Sequence, residues 1–155
     1  ADSVSKVRDV VKCVLENVES EYVCIVYPTA VFLTPDILVS AFAEFEVEPR
    51  PDFVLGVARM SPHPWKAMAV TDGFGHPVFP DEIDFKGQEQ PAFFASTGTF
   101  HWARRDAFMQ EGDFWQQRRR LFELNALQSI DIDEVSDLEM ARAIKERQLK
   151  HVAKQ

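Results

Sequence analysis

The stretch Tyr22-Val23-Cys24-Ile25-Val26-Tyr27-Pro28-Thr29-Ala30 decides which fold class the sequence favours. Its first six residues are almost wholly apolar, and Pro28 ends the run. A short apolar run without alternation is typical of a strand buried on both faces, as in a parallel sheet. On its N-terminal side, valines and a leucine recur at helical spacing and predict an amphipathic helix over residues 3–18. On its C-terminal side, a Thr-Pro pair predicts the start of a helix over residues 34–46.

Further along the chain, apolar runs predict two more core strands, and a polar turn predicts a hairpin between them. The strands are predicted over residues 53–58 and 99–102, the hairpin turn over residues 71–76, and a surface loop over residues 81–92. The remaining predictions are helices over 104–109, 114–122 and 136–152, and a short strand over 129–133. This alternation predicts a single α/β domain over residues 1–155, a three-layer sandwich with a mostly parallel, Rossmann-like sheet.

Composition narrows the function classes. The 155 residues carry 17 Lys and Arg against 25 Asp and Glu, a net charge of −8. Binding to a nucleic acid polymer requires a basic face, so it is not expected. We find no apolar run of the length that a membrane span needs and no secretory signal pattern, so we expect no membrane partner. The two cysteines form no CxxC pair, which favours reduced thiols in the cytoplasm.

The tripeptide Asp131-Ile132-Asp133 is the local feature that most suggests chemistry. On an extended strand, residues two apart project from the same face, so the two carboxylates could share a hard cation such as Mg²⁺. The end of a strand just before a helix is also where α/β folds bind ligands. The competing interpretation is structural: Asp133 caps the following helix and Asp131 is solvated.

Two other groups of polar residues have ordinary explanations. The run Arg118-Arg119-Arg120 could hold a phosphate or an acidic sugar, but such runs are more often solvated helix faces. The four histidines match no metal-ligand spacing, so each is expected in a surface or packing role. They are His63, His76, His101 and His151.

Three segments together resemble the acylneuraminate cytidylyltransferase family, with most likeness to its pseudaminic acid cytidylyltransferases. The segments are residues 27–36, residues 88–102 with Gly98-Thr99-Phe100-His101-Trp102 at the end, and Asp131-Ile132-Asp133 with the residues to Ala141. They follow the family's patterns PTxP, QDLP with NG or AG, and DIDxxxDLxxA. The resemblance implies a nucleotide-diphospho-sugar transferase-like fold with a β-hairpin insertion.

The resemblance also implies a reaction and a site. Family members transfer CMP from CTP to a nine-carbon acidic sugar of the sialic or pseudaminic acid type, and they use Mg²⁺. Asp131 and Asp133 would hold Mg²⁺, and Mn²⁺ would also fit there. Phe94 stands at a family tyrosine position and could only pack. The substrate-binding positions that the resemblance implies are Lys86, Gln88, Thr97 and Gly98.

The sequence also departs from the family's pattern. Val31 replaces the second proline of PTxP, Gln90 replaces the leucine of QDLP, and Lys86 stands where an arginine is usual. Thr97 stands where sialic acid members have an asparagine. Residues 1–155 contain no opening strand and no loop rich in Gly, Arg and Lys to hold CTP. We therefore expect a domain that is truncated at its N-terminus relative to the family and inactive alone.

Two functions from different classes remain open, beside an unrelated α/β domain with chance matches. The chain is a cytidylyltransferase-like domain, whole only with a further segment, or a non-catalytic remnant that serves as a binding or oligomerisation module. In the family, the strand matching residues 22–27 lies beside the missing first strand. An uncovered apolar edge invites pairing with another chain, so we expect a homo-oligomer, most simply a dimer.

Overall fold

The structure is a computed structural model, and it describes residues 6–115 and 118–152. Over these residues, four strands form one sheet, two form a separate hairpin, and four α-helices lie among them. In chain order the elements are α1 (Val7–Leu15), β1 (Tyr22–Val26), α2 (Pro35–Phe42), a 3₁₀ turn (Ala43–Glu46), β2 (Phe53–Arg59), a 3₁₀ turn (Pro64–Lys66), β3 (Met68–Thr71), β4 (Phe74–Pro77), β5 (Phe94–Arg104), α3 (Arg105–Glu111), β6 (Arg119–Glu123) and α4 (Val135–Val152).

The order of the four-stranded sheet is β1-β5-β2-β6. The central strand β5 is antiparallel to both of its neighbours, and only β2 and β6 form a parallel pair. The predicted mostly parallel pairing is therefore wrong, although the mixed α/β class is confirmed. Parallel neighbours need a crossover connection, usually a helix. Residues 60–93, which connect β2 to β5, contain no α-helix. The chain therefore returns beside β2, and β5 runs antiparallel to it.

The hydrophobic core lies on both faces of this sheet. On one face, Leu15 of α1 and Phe108 of α3 pack against β2 and β5. On the other face, Ala41 of α2 and the following Phe45 pack against the alternate residues of the same strands. Side chains of a strand point to opposite faces in turn, so Phe53 belongs to the first cluster and its neighbour to the second.

The connection between β2 and β5 forms a projecting arm, which we define as residues 60–93. It contains the β3–β4 hairpin, whose eight residues are all exposed. Asp72 and Gly73 at its turn have φ values of 53° and 82°, which confirms the predicted hairpin turn. The predicted surface loop over residues 81–92 is also confirmed, because turns and irregular backbone fill it.

Two local predictions are wrong. Residues 119–122, the end of the helix predicted over 114–122, belong instead to β6, because their backbone pairs with β2 in parallel register. Residues 116 and 117 of that predicted helix lie outside the described residues. Residues 129–133, expected as a strand, form the end of a turn and an irregular segment. The turn is held by Asn125, whose side-chain oxygen accepts the amides of Leu127 and Gln128, both at 3.0 Å. Asparagine competes in this way with regular structure.

The first helix is shorter than the range 3–18 that its apolar pattern predicted. It ends at Leu15, where the guanidinium of Arg105 donates to the carbonyls of Leu15 at 2.9 Å and Val18 at 3.0 Å. Its predicted residues 3–5 lie outside the described residues. The helix at 34–46 appears as α2 and a 3₁₀ turn, and Pro35 occupies its first turn as predicted. The predicted terminal helix is confirmed as α4.

Candidate functional site

The site begins at a large irregularity between β2 and β5. Leu55 pairs with His101, but Val57 pairs with Ser96, so extra residues of β5 bulge out opposite Gly56. A Cβ on Gly56 would lie 2.8 Å from both Phe100 Cε1 and Thr99 Oγ1, so the bulged strand presses directly on the glycine. Bulges of this kind redirect backbone and side chains next to functional sites.

Gly98 lies in this bulge and brings the chain against Asp131. Its φ is +64°, a conformation that favours glycine, and a Cβ there would lie 2.6 Å from Asp131 Oδ2. The structure therefore brings together two of the predicted site residues, which come from segments more than thirty positions apart. A side chain at position 98 would require the Asp131 carboxylate to shift.

The Asp131 carboxylate is unusually placed. The residue is half-buried, and its Oδ1 is a buried oxygen with no hydrogen-bond partner among the described residues. Burial, and after it the charge of Asp131, raise the pKa of the Tyr27 hydroxyl, so Tyr27 lies within electrostatic range of the same carboxylate. A buried carboxylate oxygen without a donor is unfavourable, and a bound cation would satisfy it.

Asp133 is placed differently. Its side chain is exposed, and the segment is not a strand, so the same-face argument for the two carboxylates does not apply. It does not cap α4 either. Asp137 in the first turn of α4 accepts the amides of Asp133 at 3.1 Å and Glu134 at 2.8 Å. This is the carboxylate half of a capping box, which leaves the Asp133 carboxylate unused by the helix.

Thr97 is held inside the bulge. Its hydroxyl donates to the carbonyl of Gly56 at 3.2 Å and lies 2.7 Å from the hydroxyl of Thr99. Because the single proton of Thr97 is used, Thr99 is the donor between the two hydroxyls. Thr97 therefore supports the backbone that carries Gly98.

Lys86 and Gln88 lie elsewhere, on the exposed loop of the arm. The Lys86 amide donates to Glu89 Oε2 at 3.2 Å, and this loop is fixed by contacts within the arm. Trp65 packs on Phe85 with ring centroids 5.4 Å apart, and Gln90 donates to the Phe85 carbonyl at 3.0 Å. Over residues 6–115 and 118–152, no hydrogen bond or ion pair joins either side chain to Asp131.

The arginine run is not a helix face, and two of its arginines are held by specific contacts. Arg118 Nε lies 2.7 Å from Asp52 Oδ2, and its guanidinium also donates to the Arg50 carbonyl at 2.6 Å. Arg120 pairs with Glu44 at 3.6 Å and donates to the carbonyls of Val47 and Pro49. These two arginines attach the segment before β2 to β6.

Two residues near the site were not selected from the sequence. Tyr27 was predicted as the end of a strand and as the first residue of a segment that resembles the family, and its position before Pro28-Thr29 was the available signal for a role in the site. His101 had no such signal beyond lying in a core strand; its predicted packing role is confirmed by its 4% exposure. Burial lowers the pKa of His101 to about 4, so its ring is neutral at pH 7.

Two negative findings limit the chemistry. In the part of the chain that the structure describes, no three His, Cys, Asp or Glu side chains are grouped to hold a metal ion. An ion at Asp131 would therefore have at most two carboxylates from these residues in its coordination. Over the same residues, no helix has the length and apolar character required to cross a membrane.

Comparison with known proteins gives a match in three-dimensional structure. No protein-family model matches the sequence, and no curated protein is significantly similar to it. Among solved structures, the fold is similar to that of a CMP:2-keto-3-deoxy-manno-octonic acid synthetase complexed with CTP, with a TM-score of 0.64. The match covers 94% of this chain and 70% of the synthetase chain at 14% identity. At that identity the match establishes the fold alone: the chain has a mixed α/β fold similar to that of this synthetase.

Proposed function

We propose that this chain is a cytidylyltransferase-like domain that uses Mg²⁺ held at Asp131 and Asp133. The observation that carries the proposal is the buried Oδ1 of Asp131 above Gly98, which has no partner among the described residues. The fold similarity to a synthetase complexed with CTP supports it. Mg²⁺ often binds through one or two carboxylates and completes its coordination with water and substrate phosphates, which suits the two carboxylates present.

The reaction we propose for the complete domain is transfer of CMP from CTP to an acidic nine-carbon sugar. When bound, Mg²⁺ would supply Lewis acidity and a template for the phosphates. The residues of this chain would position it: Asp131 from the inner side, Asp133 from the solvent side, and the bulge at Thr97 and Gly98 as the floor. Lys86 would meet the sugar only from a second subunit or after movement of the arm, and the same holds for Gln88.

The alternative is a non-catalytic module. Phosphates are usually held by backbone N–H groups and cations, and residues 1–155 contain no glycine-rich loop of that kind. We therefore expect the 155-residue chain alone to bind a divalent cation weakly and to show no CTP turnover.

The experiment is Mn²⁺-induced line broadening in NMR spectra, run beside a pyrophosphate-release assay. Broadening should centre on residues 98 and 131–133 and should be lost in Asp131→Asn. Asp36→Asn, at an exposed acid of α2, is the matched control and should leave the broadening unchanged. Broadening spread evenly over the acidic surface would contradict the metal site.

The assay separates the two functions. CTP, Mg²⁺ and nine-carbon acids should give background release, and 2-keto-3-deoxy-manno-octonic acid is the eight-carbon comparison. Sugar-dependent release that disappears in Asp133→Ala would contradict the expected inactivity and would show that the isolated chain is an enzyme.

We also propose that the chain forms a homo-oligomer through β1. In the described sheet β1 is an edge strand. Tyr27 donates its amide to Thr99 at 3.0 Å, and Glu21 accepts the amide of Arg105 at 2.9 Å, so the odd-numbered residues face β5. Pairing alternates along an antiparallel strand, so Tyr22, Cys24 and Val26 direct their backbone groups away from the sheet. A second copy would satisfy those groups on both strands.

A further inference from the structure

Four aromatic side chains meet at the root of the arm. His63 contacts Trp65 and Phe93 edge to face, with ring centroids 5.1 Å and 5.0 Å apart. Trp65 in turn packs on Phe93 at 6.1 Å and on Phe85 at 5.4 Å. The cluster therefore joins both ends of the arm to its surface loop. Of these four rings, only the imidazole of His63 changes its charge near neutral pH.

Both ring nitrogens of His63 are engaged, and they agree on one tautomer. Nε2 lies 2.9 Å from the Pro91 carbonyl oxygen, which can only accept a hydrogen bond, so Nε2 carries the proton. Nδ1 accepts the backbone N–H of Trp65 at 3.3 Å, so it carries none. This second bond caps the 3₁₀ turn Pro64–Lys66. The arrangement requires a neutral imidazole that is protonated at Nε2 alone.

Protonation of His63 would break one of these bonds and keep the other. A histidinium ring has an N–H group at both nitrogens, so Nδ1 would face the Trp65 amide as donor against donor. The bond to Pro91 would remain and become charge-assisted. The acid form of His63 would therefore stay attached to Pro91 while it releases the turn that carries Trp65.

The charges around His63 favour the same response. Arg59 and Lys66 line the groove of about 460 Å³ that His63 also lines, so a histidinium would be the third cation there. Arg59 pairs with Glu123 at 3.5 Å, and Lys66 Nζ donates to the Ile83 carbonyl. Among the described residues, no carboxylate bonds to the His63 ring. The charged residues that flank Phe85 on the loop have opposite signs and are Asp84 and Lys86.

From these observations we propose that His63 is a pH-sensitive switch for the arm: neutral His63 holds Trp65 against Phe85, and protonated His63 releases it. Lys66 follows Trp65 in the same turn, so its contact with the loop weakens at the same time. The loop contains Lys86 and Gln88, which therefore become more mobile as the pH falls below neutrality. This switch goes beyond the proposed function, because it requires neither CTP nor Mg²⁺.

The test is an NMR titration of the 155-residue chain between pH 8 and pH 5. At pH 8, long-range ¹H–¹⁵N correlations should place the His63 proton on Nε2. As His63 titrates, the hydrogen-exchange protection factor of the Trp65 amide should fall about fivefold, the effect of losing an N-cap. Nuclear Overhauser effects between the rings of Trp65 and Phe85 should weaken with the same midpoint. His101 stays neutral over most of this range, because its pKa is about 4.

Two variants separate the hydrogen bond from the ring. His63→Asn should keep the Trp65 amide protected at pH 5, because asparagine is a favoured N-cap and its side-chain oxygen does not titrate. His63→Phe keeps an aromatic ring but has no acceptor, so it should show the released state already at pH 8. His76→Phe, at an exposed position of β4, is the matched control and should titrate like the unsubstituted chain.

Four outcomes would overturn the proposal: a His63 proton on Nδ1 at pH 8, no change at Trp65 between pH 8 and pH 5, the same change in His63→Asn, or full protection in His63→Phe at pH 8. The first two need only the unsubstituted chain, so they decide the question even if a variant fails to fold. None of the four depends on whether Asp131 binds a metal, so failure here and failure of the proposed function are distinguishable.

Discussion

Gly98 shows how one residue without a side chain shapes the candidate site. Its positive φ turns the bulged strand toward Asp131, and its missing Cβ gives the carboxylate its place. The sequence predicted both residues as site positions through a resemblance to a family, and no spacing rule would have joined them. Their contact depends on the bulge opposite Gly56, which arises from strand register and therefore from the tertiary fold.

Replacing Gly98 tests this arrangement. Gly98→Ala should lower the free energy of unfolding by about 1–3 kcal/mol, because alanine is strained at φ +64° and its Cβ would meet Asp131 Oδ2. Adding Asp131→Ala should recover part of the loss by removing the steric contact, and urea unfolding measures both effects. Gly87→Ala, whose added Cβ would meet no atom within 4 Å, is the control. Equal effects of Gly98→Ala and Gly87→Ala would contradict the contact.

His101 should make the protein sensitive to acid. Its pKa is about 4 in the folded chain against an ordinary 6.5, so the unfolded chain binds the proton more readily. The contribution of His101 to the free energy of unfolding is therefore fully present above pH 6.5 and is lost as the pH falls toward 4. The full difference corresponds to roughly 3 kcal/mol.

The measurement is urea unfolding between pH 7 and pH 4. His101→Phe should remove most of the slope between pH 6.5 and 4, whereas His76→Phe should leave it unchanged. A slope that persists in His101→Phe would assign the acid sensitivity to other groups.

At the scale of elements, β1 is the strand whose surroundings matter most. The apolar run at residues 22–27 correctly predicted a strand, but its composition suggested burial on both faces. β1 lies at the edge of the described sheet, which agrees with the uncovered edge expected from the sequence, but its side chains are only partly buried and Val26 is 47% exposed. The sequence also misassigned residues 119–122, because the arginines that suggested a solvated helix face instead attach β6 to the segment before β2.

The β1 edge leads to a prediction about assembly. Val26→Lys should shift the chain from oligomer to monomer in sedimentation experiments at high micromolar concentration, because a charge on an edge strand opposes pairing with a second copy. Val39→Lys, at a 69% exposed position of α2, is the matched control and should leave the oligomer intact. Hydrogen exchange at residues 22, 24 and 26 should accelerate on dilution of the unsubstituted chain.

A chain that is monomeric before substitution would contradict pairing through β1. An oligomer that persists in Val26→Lys would direct attention to the arm, where Met68, Val70 and Phe74 are exposed apolar side chains.

For the whole molecule, the sequence predicted the class of fold better than its connections. Most helices, three core strands and the hairpin follow from local sequence patterns. Such patterns depend only on residues that are close together in the sequence. The antiparallel direction of β5 does not, because it depends on the arm that lets the chain return beside β2 without a crossover helix. Lys86 and Gln88 illustrate the same limit. The family resemblance predicted them as substrate-binding positions, but it did not predict where the arm would place them relative to Asp131.

The arm should be separable from the core. Among the described residues, no buried hydrophobic side chain lies between residues 60 and 93, so the two core clusters form without the arm. Replacing residues 61–92 with a two-residue Asn-Gly turn should leave near-UV circular dichroism and cooperative thermal unfolding largely intact, because β2 and β5 already meet as antiparallel neighbours. Loss of cooperative unfolding would show that the arm is needed to hold β5.

The position of β5 also affects how the chain folds as it is synthesised. This central strand pairs with β1 across about 80 residues of sequence, so β1 and β2 leave the ribosome long before their shared partner. Until β5 has been synthesised, β1 and β2 are two apolar strands without their hydrogen-bonding partner. Nascent chains are most prone to aggregate at this stage. Chaperone demand and yield at high expression should therefore depend on how quickly residues 60–104 emerge.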